Sequence, residues 1–228
     1  LKDDPKLAAI RTAYAAYLAQ LLTLSGEGDA AARAARVFDF EKQLATVQWS
    51  RVDSRDADKT YNQWARADFA RNAPGFDWTA FLAAAGVDRQ PLFLVAQPTA
   101  FAGSAKVIAA TPLAVLEDYL LVRTIDAYAP YLSKPLVDAQ FGFARTTLGG
   151  VPEIEPRWKR GVSLVSNEIG EAVGKIYVAR YFPPAAKLEA DRLVKNIIAA
   201  MGDRLRALDW MAPATRQKAL AKLAAFRP

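Results

Sequence analysis

Apolar residues recur at steps of three and four along most of this 228-residue chain, and no other feature of the sequence constrains its fold as strongly. Such spacing places side chains on one face of an α-helix. In residues 6–24 the apolar face consists of Leu7, Ile10, Tyr14, Tyr17, Leu18 and Leu21. A second run covers residues 29–49 and includes Val37, Phe40, Leu44 and Val47. Since Ser25 and Gly26 separate the two runs, we expect an antiparallel helical hairpin.

Capping residues, prolines and glycines delimit the helices that follow. Asp77 is a predicted N-cap, and Gly86 is predicted to close the same short helix in the left-handed conformation. Thr111 and Pro112 are the predicted N-cap and first position of a helix that ends near residue 129. Its apolar face is predicted to consist of Leu113, Leu116, Leu120 and Ile125. Further helices are predicted over residues 133–147, 156–181, 184–208 and 213–226.

Extended structure is predicted in one place only. Residues 91–97 are mostly apolar and are bounded by prolines at 91 and 98, whereas the interval 50–62 is polar and predicted to be a loop. One short strand cannot form a sheet. We therefore predict an all-α fold of seven or eight long packed helices with at most one short extended segment, organised as a single helical domain over residues 1–228.

The composition excludes several classes of active site. The chain contains no His and no Cys, so by itself it cannot form a disulfide, a thiolate metal site or a histidine-based catalytic centre. Neither a glycine-rich phosphate loop nor a G-x-S-x-G nucleophile elbow occurs. Catalysis within this chain would have to use carboxylates, Lys, Tyr, Ser or Arg.

Charge and hydropathy bear on partners. Lys and Arg number 30 against 24 Asp and Glu, and because the two signs alternate along the chain we expect no nucleic-acid partner. No run of about 20 uninterrupted apolar residues occurs, so no membrane span is predicted in this chain. Residues 1–5 lack a starting Met, a basic segment and a cleavage site, and we interpret this start as an internal cut with no signal peptide in the fragment.

Three groups of polar residues are the candidates for chemistry. Glu168 and Glu171, beside Asn167, are three residues apart on a predicted helix, as a proton-transfer pair or a hard-metal site would require. A solvated role is favoured, because Glu171 precedes Lys175 by four residues and this spacing predicts a surface ion pair.

The other two groups also have simpler interpretations. Asp53, Asp56 and Asp58 suggest a calcium loop, but the Gly and Glu that such a loop requires at its sixth and twelfth positions are replaced by Asp58 and Trp64. A polar loop with capping acids is therefore favoured. The basic cluster around Trp158 consists of Arg157, Lys159 and Arg160. It could bind an anion, although a buried Trp beside a basic helix face is the preferred interpretation.

Short motifs in a fixed order carry a resemblance that extends over almost the whole chain. The most specific are Ala-Pro-Tyr-Leu-Ser-Lys-Pro at 129–135, Thr-Leu-Gly-Gly at 147–150, Pro-Arg-Trp-Lys-Arg at 156–160, Glu-Ala-Val-Gly-Lys-Ile-Tyr-Val at 171–178 and Leu-Asp-Trp-Met at 208–211. Looser matches lie at 49–51, 55–56, 59–62 and 74–78. This series resembles the helical region of the neprilysin family of zinc metalloendopeptidases. Ala57 departs from the family, where many relatives have Pro.

The resemblance implies a function that the residues alone do not reveal. Members of this family bind zinc through H-E-x-x-H and a downstream Glu, and none of these ligands lies in residues 1–228. The resemblance therefore implies zinc in the parent enzyme and none bound by this chain. It also implies a lobe that restricts a peptide-substrate cavity, with the catalytic lobe of the same protein and peptide substrates as its partners, and an extracytoplasmic location, either periplasmic or secreted.

Two other hypotheses belong to different functional classes. The chain could be a stand-alone helical binding module that never had a catalytic half. It could also be a protein that binds anions or nucleic acids through the basic cluster, with binding that depends on salt. Under the hypothesis that the chain is the helical part of a neprilysin-like enzyme, no residue of this chain is assigned a catalytic, cofactor-binding or metal-binding role.

Overall fold

The structure, a computed structural model, describes residues 4–227, which divide into two compact units, the first ending at Ile154 and the second beginning at Glu155. Residues 1–3 and 228 lie outside the described part, and with them most of the segment interpreted as an internal cut. Within residues 4–227 the chain forms eleven α-helices and one two-stranded sheet. The all-α prediction is confirmed. The single domain over 1–228 stays a prediction. Each of the two compact units has its own internal contacts.

The first unit contains eight helices and both strands. The helices are α1 (Pro5–Leu24), α2 (Ala30–Val47), α3 (Ala57–Thr60), α4 (Phe69–Asn72), α5 (Trp78–Ala84), α6 (Pro98–Ala110), α7 (Leu113–Tyr128) and α8 (Lys134–Gln140). The strands are β1 (Gln63–Ala65) and β2 (Leu92–Leu94). The second unit consists of α9 (Arg157–Tyr181), α10 (Pro184–Ala207) and α11 (Pro213–Ala224).

The first core lies between α1, α2, α7 and α8. The Asp4 carboxylate caps α1 by accepting the backbone N–H of Lys6 at 2.8 Å, and Pro5 occupies the first helical position. Gly26, with a φ of +81°, turns the chain toward α2. The most completely buried side chains here are Leu18, Leu21, Leu22, Val37 and Val122. The predicted hairpin of α1 and α2 is confirmed.

The apolar face predicted for α7 was partly wrong, since Ile125 is buried as predicted but two of the leucines are not. Leu113 and Leu120 are 69% and 63% exposed, and the buried positions are Val115, Asp118, Val122 and Ile125. These four follow the same three- and four-residue spacing, but a carboxylate occupies one of them. Burial of Asp118 is possible because Arg33 of α2 neutralises it. The N-cap was also wrong, since the Thr111 hydroxyl donates to the Val107 carbonyl of α6.

The second core is aromatic and lies beneath the small sheet. β1 and β2 pair antiparallel with Trp64 opposite Phe93. Trp64, Phe69 and Trp78 are buried, and the Trp78 indole donates to the Ala73 carbonyl at 2.6 Å. Aromatic pairs with centroids 4.5–7 Å apart stabilise such clusters beyond their buried area. The predicted limit of one extended segment was too low, because β1 forms at Gln63–Ala65, directly after the interval 50–62 that was predicted as loop.

Three helices of the first unit escaped the sequence prediction. Helices α3 and α4 have four residues each, which is too short for a periodic pattern. Helix α6 is rich in Ala. Its one Gly, Gly103, allows α2 and α6 to approach closely, since a Cβ atom there would lie 2.8 Å from the Val47 Cβ atom. The predicted helix over 133–147 is confirmed, although residues 141–147 wind as a π-helix.

The second unit has long amphipathic helices and little buried side-chain area. Helix α9 contains a kink at Ile169, whose φ and ψ are −130° and 27°. Helices α10 and α11 pack where Gly202 is buried, close to Leu223. The Arg216 guanidinium donates to the carbonyls of Leu208 and Met211, the latter at 3.2 Å, and so fixes the turn between these helices.

Among residues 4–227, one helix meets the length and composition expected of a membrane span. Helix α1 has a mean hydropathy of 1.2, and the bent pair α6 and α7, with an angle of 115°, passes the same test only if taken together. No such segment was predicted from the sequence, because charged residues or prolines interrupt its longest apolar runs. Tyr17, Leu18, Leu21 and Leu22 of α1 belong to the first core.

Candidate functional site

The acidic pair of α9 does not form a site. Glu168 and Glu171 are both exposed, and the kink at Ile169 lies between them. The ion pair predicted between Glu171 and Lys175 is absent from the described residues. The interpretation of these carboxylates as solvated groups is therefore supported, but not through the predicted partner.

The acidic loop is held by local hydrogen bonds. Asp53 accepts from the Ser50 hydroxyl and from Lys59 Nζ, each at 2.6 Å, and these two donors lower its pKa, with the Lys59 hydrogen bond as the larger cause. Asp56 caps α3 by accepting the backbone N–H groups of Asp58 and Lys59 at 3.0 and 3.1 Å. The capping interpretation is confirmed for Asp56, and the loop's own donors occupy the Asp53 carboxylate.

The basic cluster at the start of α9 surrounds an exposed indole. Trp158 is 67% exposed, so the prediction of a buried Trp was wrong. Lys159 Nζ lies 5.6 Å from the centroid of its ring, within the range of a cation–π interaction. Arg160 Nε donates to the Glu155 carbonyl at 3.2 Å. Two of the three basic residues thus have local contacts.

Metal-ligating residues do not converge in the described part of the chain. Among residues 4–227, no group of three or more carboxylates lies close enough to hold a metal ion. Because His and Cys are missing from the sequence, an ion such as zinc would need ligands from outside these 228 residues.

A polar network lies between α1, α2 and α7. The Tyr14 hydroxyl donates to Glu41 at 2.6 Å and the Tyr17 hydroxyl to Asp126 at 2.5 Å, while Arg123 donates to the Tyr14 oxygen at 3.2 Å. Burial and these hydrogen bonds raise the pKa of both tyrosines above the usual value, so both stay protonated donors. Each polar group of this network has a partner, and the arrangement fixes the packing of three helices.

A second buried polar contact joins α2 to α7. Arg33 Nε and Nη2 donate to Asp118 Oδ1 at 2.9 and 2.6 Å, and Arg33 also pairs with Glu27. These hydrogen bonds raise the pKa of Arg33. Neither this pair nor the tyrosine network was predicted from the sequence. The sequence did contain a signal for the burial of Asp118, since it is three residues after Val115 and four before Val122 and so lies on the same helix face.

Exposed apolar faces are the most distinctive surface of the second unit. On α9 they include Trp158, Val162, Val165, Ile169, Val173, Ile176 and Tyr177. On α10 they include Leu188, Leu193, Ile197 and Met201. Each of these side chains is at least 39% exposed. A soluble protein rarely exposes so many apolar residues in one series, and such a surface typically binds another protein segment. We call it the α9–α10 apolar surface.

Comparison with known proteins gives the family. The sequence profile for the N-terminal part of peptidase family M13 matches residues 1–228, which is the whole chain. The chain belongs to peptidase family M13. This confirms the resemblance to neprilysin-like enzymes that the ordered motifs indicate.

Curated relatives match this M13 chain over nearly its full length. Neprilysin-2 of Drosophila melanogaster is 26% identical over 230 residues, which cover 93% of this chain and 30% of the relative. Endothelin-converting enzyme-like 1 of Mus musculus is 27% identical over 231 residues, which cover 98% of this chain and 29% of the relative. The M13 chain thus spans less than a third of the length of these two relatives.

Solved structures also match nearly all of this chain while the match covers only about a third of their own length. The zinc metalloprotease Zmp1 of Mycobacterium tuberculosis in its open state is 40% identical, with a TM-score of 0.80, and the match covers 99% of this chain and 36% of Zmp1. The structure of Zmp1 in complex with an inhibitor is 38% identical, with a TM-score of 0.81, and covers 97% and 34%. The helical fold of this M13 chain is therefore that of a segment of a larger protein in each case.

Proposed function

We propose that this M13 chain is the helical part of a zinc metalloendopeptidase, and that it shapes and restricts the cavity that receives peptide substrates. The observation that carries the proposal is the full-length match to the M13 profile, together with relatives that are named as an endopeptidase and a zinc metalloprotease. Under this proposal the parent protein hydrolyses peptide bonds of oligopeptides and small proteins.

The chemistry of the chain agrees with a role that is steric rather than catalytic. The zinc ligands of the parent must come from outside residues 1–228, since this segment has no His or Cys. A helical lobe contributes to hydrolysis by excluding bulk water and by admitting only chains that are thin and flexible enough to enter. We therefore assign no catalytic step to any residue of this chain.

The α9–α10 apolar surface supports the proposed partner. Ile176 and Ile197 are 59% and 57% exposed, and burying the part that is still exposed stabilises a complex by roughly 1 kcal/mol each, before the cost of association. The catalytic lobe of the same protein is the proposed occupant of this surface, because about two thirds of the length of each relative lies outside the matched segment. The isolated chain should therefore self-associate or dissolve poorly.

Peptide hydrolysis by the whole protein is the direct test of the enzymatic part. We expect about one zinc per molecule, loss of activity with a chelator, and cleavage of a short unstructured peptide. The isolated 228-residue chain should hold no stoichiometric zinc and cleave nothing. A whole protein that binds no zinc and cleaves no peptide would favour the stand-alone binding module instead.

Substrate size tests the gating part separately. The same cleavable sequence is compared as a free peptide and within a surface loop of a folded protein, with the unfolded form of that protein as the control. We expect the folded substrate to be cleaved at least about 100-fold more slowly, because a closed cavity admits only flexible chains. Equal rates for folded and free substrates would contradict the gating role while leaving the peptidase assignment intact.

The location of the protein is a further part of the proposal. We place it outside the cytoplasm, as the family resemblance implies. Fractionation of the cells that produce it should find it in the periplasm or the medium, and recovery in the cytosolic fraction would contradict this.

A further inference from the structure

Strand β2 has one edge whose backbone groups point away from the sheet. The backbone N–H of Val95 donates to the Asn62 carbonyl at 2.8 Å, and that of Arg66 donates to the Pro91 carbonyl at 3.0 Å. Hydrogen-bonded pairs alternate with non-bonded pairs in an antiparallel ladder, so residues 91, 93 and 95 face β1. The N–H and C=O groups of Leu92 and Leu94 must then point to the opposite side.

This second edge of β2 is open, unlike the outer edge of β1. At the outer edge of β1, the Asp68 carboxylate accepts the backbone N–H of Ala65 at 2.9 Å. No third strand pairs with β2 among residues 4–227, and Leu92 and Leu94 are 51% and 59% exposed. An exposed edge of this kind is a template for the addition of another strand.

A cavity of about 480 Å³ lies beside the C-terminal end of this edge. Its wall includes residues 93–97 of the β2 segment and, in the described part of the chain, none of β1. The remaining lining is predominantly apolar and is provided mainly by Phe69, Phe81, Leu82, Val87, Ala100 and Phe101. Its volume falls within the range of about 300–1,000 Å³ that is typical of small-ligand pockets.

The N-terminal end of the edge carries positive charge. Arg66 donates to the backbone carbonyl of Asp88, and Arg89 stands two residues before Pro91. Both arginines are exposed, and neither forms an ion pair within the described residues. Of the two acids nearest in sequence, Asp68 is paired with Arg71 at 2.7 Å, and Asp88 forms no ion pair within the described residues. A negatively charged group at this end of a bound strand would complement Arg66 and Arg89.

We propose that the open edge of β2 binds an extended peptide as a third, antiparallel strand. The peptide places an apolar side chain in the cavity and its free C-terminal carboxylate near Arg66 and Arg89. The peptide must run antiparallel to β2, because its C-terminal carboxylate lies at the N-terminal end of β2 and its apolar side chain at the C-terminal end. At about 3.3 Å per residue, the apolar side chain is then about three or four residues before the carboxylate. Main-chain hydrogen bonds supply affinity in this mode of recognition, and the pocket supplies specificity.

The site is independent of the proposed peptidase activity, since binding requires no hydrolysis. The probe is a fluorescent octapeptide of alternating Thr and Val residues with one Phe four positions from a free C-terminus. Fluorescence anisotropy with the 228-residue chain should give saturable binding, with a Kd on the order of 10⁻⁴ M for so short an interface. Replacing the Phe by Asp, amidating the C-terminus or methylating alternate backbone nitrogens should each weaken binding, the first and last by about tenfold.

Two variants of the chain test the same contact from the other side. Leu94→Pro removes an N–H group that faces the open edge and leaves the ladder to β1 intact, so circular dichroism should not change. Ala96→Arg places a charge at the exposed mouth of the cavity. Each should weaken binding about tenfold. Ala83→Arg, an equally exposed position of α5 that does not line the cavity, should bind as the unmodified chain does.

Each outcome of these binding experiments either supports the proposal or overturns it. Binding that depends on the Phe, on unmethylated peptide nitrogens and on both positions of the chain supports the proposal. The proposal is overturned by an absence of saturable binding up to about 1 mM peptide. It is equally overturned if binding is unaffected by Leu94→Pro and Ala96→Arg, because the peptide would then occupy another surface.

Discussion

Both units of this M13 chain consist mainly of helices, but they differ in what covers their apolar faces. In the first unit Leu18, Leu21 and Val37 are completely buried between α1, α2 and α7. In the second unit Leu188 and Leu193 are 69% and 62% exposed, although they belong to a helix with the same spacing of apolar residues. Helical periodicity therefore predicts that a face will be covered, but not by which part of a protein.

The largest expected effect comes from truncating one leucine in each unit. Leu18→Ala should lower the free energy of unfolding by about 3–4 kcal/mol, because it leaves a cavity in a packed core. Leu193→Ala should change it by less than about 0.5 kcal/mol, since the side chain is already in water. Urea unfolding of the isolated chain, followed by circular dichroism, measures both. Equal losses at the two positions would remove the distinction between the units.

The next prediction compares a buried ion pair with a surface pair. Arg33→Leu leaves the Asp118 carboxylate buried without its partner, and we expect a loss of about 2–3 kcal/mol. Arg192→Leu breaks the pair with Glu189, whose side chain is 66% exposed, and should change stability by less than about 0.5 kcal/mol. Thermal unfolding of both variants in parallel gives the comparison. A neutral Arg33→Leu would mean that Asp118 is solvated.

A smaller effect, of opposite sign in the two units, is expected from glycine replacement. Gly103→Ala brings a Cβ atom within 2.8 Å of Val47 and should destabilise the first unit by about 1–2 kcal/mol. Gly174→Ala in α9 meets no atom within 4 Å and should stabilise the isolated chain by about 0.5 kcal/mol or more, through helix propensity. Denaturant midpoints distinguish the two. A stabilising Gly103→Ala would show that α2 and α6 are farther apart.

The smallest effect is local and concerns the acidic loop. The hydrogen bond from Lys59 holds the pKa of Asp53 below its ordinary value of 3.8. The stabilisation is complete above that value and is lost as the pH falls through the lowered pKa of the folded state. Lys59→Met should therefore raise the Asp53 pKa toward 3.8, as measured by NMR titration. Lys106→Met, an exposed change outside the loop, is the control. An unchanged Asp53 pKa in Lys59→Met would show that the contact does not persist in solution.

Much of the fold could be predicted from the sequence, because long helices have a periodic spacing of apolar residues and recognisable capping residues. Asp77 and Gly86 act as predicted, with the Asp77 carboxylate accepting the Ala80 backbone N–H at 2.9 Å and Gly86 at a φ of +69°. Strand β1 was missed because it has three residues and is defined by its partner rather than by its own pattern. Buried Asp118 was missed because its compensation by Arg33 depends on tertiary contact.

The candidate site could be predicted only in its broad outline. Ordered motifs identified the family, which no periodicity or composition could do. The exposure of Trp158 could not be predicted, because an apolar helix face has the same sequence pattern whether it packs within the chain or against another segment. The open edge of β2 could not be predicted either, since it follows from the register of two strands, one of which was not recognised.

Thiol labelling of α10 tests the central claim most directly, because the chain has no Cys and a single one can be introduced. Ile197→Cys lies on the α9–α10 apolar surface, and Lys195→Cys lies about 200° away around the same helix. In the isolated chain, diluted until it is monomeric, both should react rapidly with maleimide. In the whole protein, with the modified residue located by mass spectrometry, reaction at position 197 should slow by at least about tenfold and reaction at position 195 should not change. Equal, rapid labelling at position 197 in both proteins would contradict the claim that the rest of the protein covers this surface.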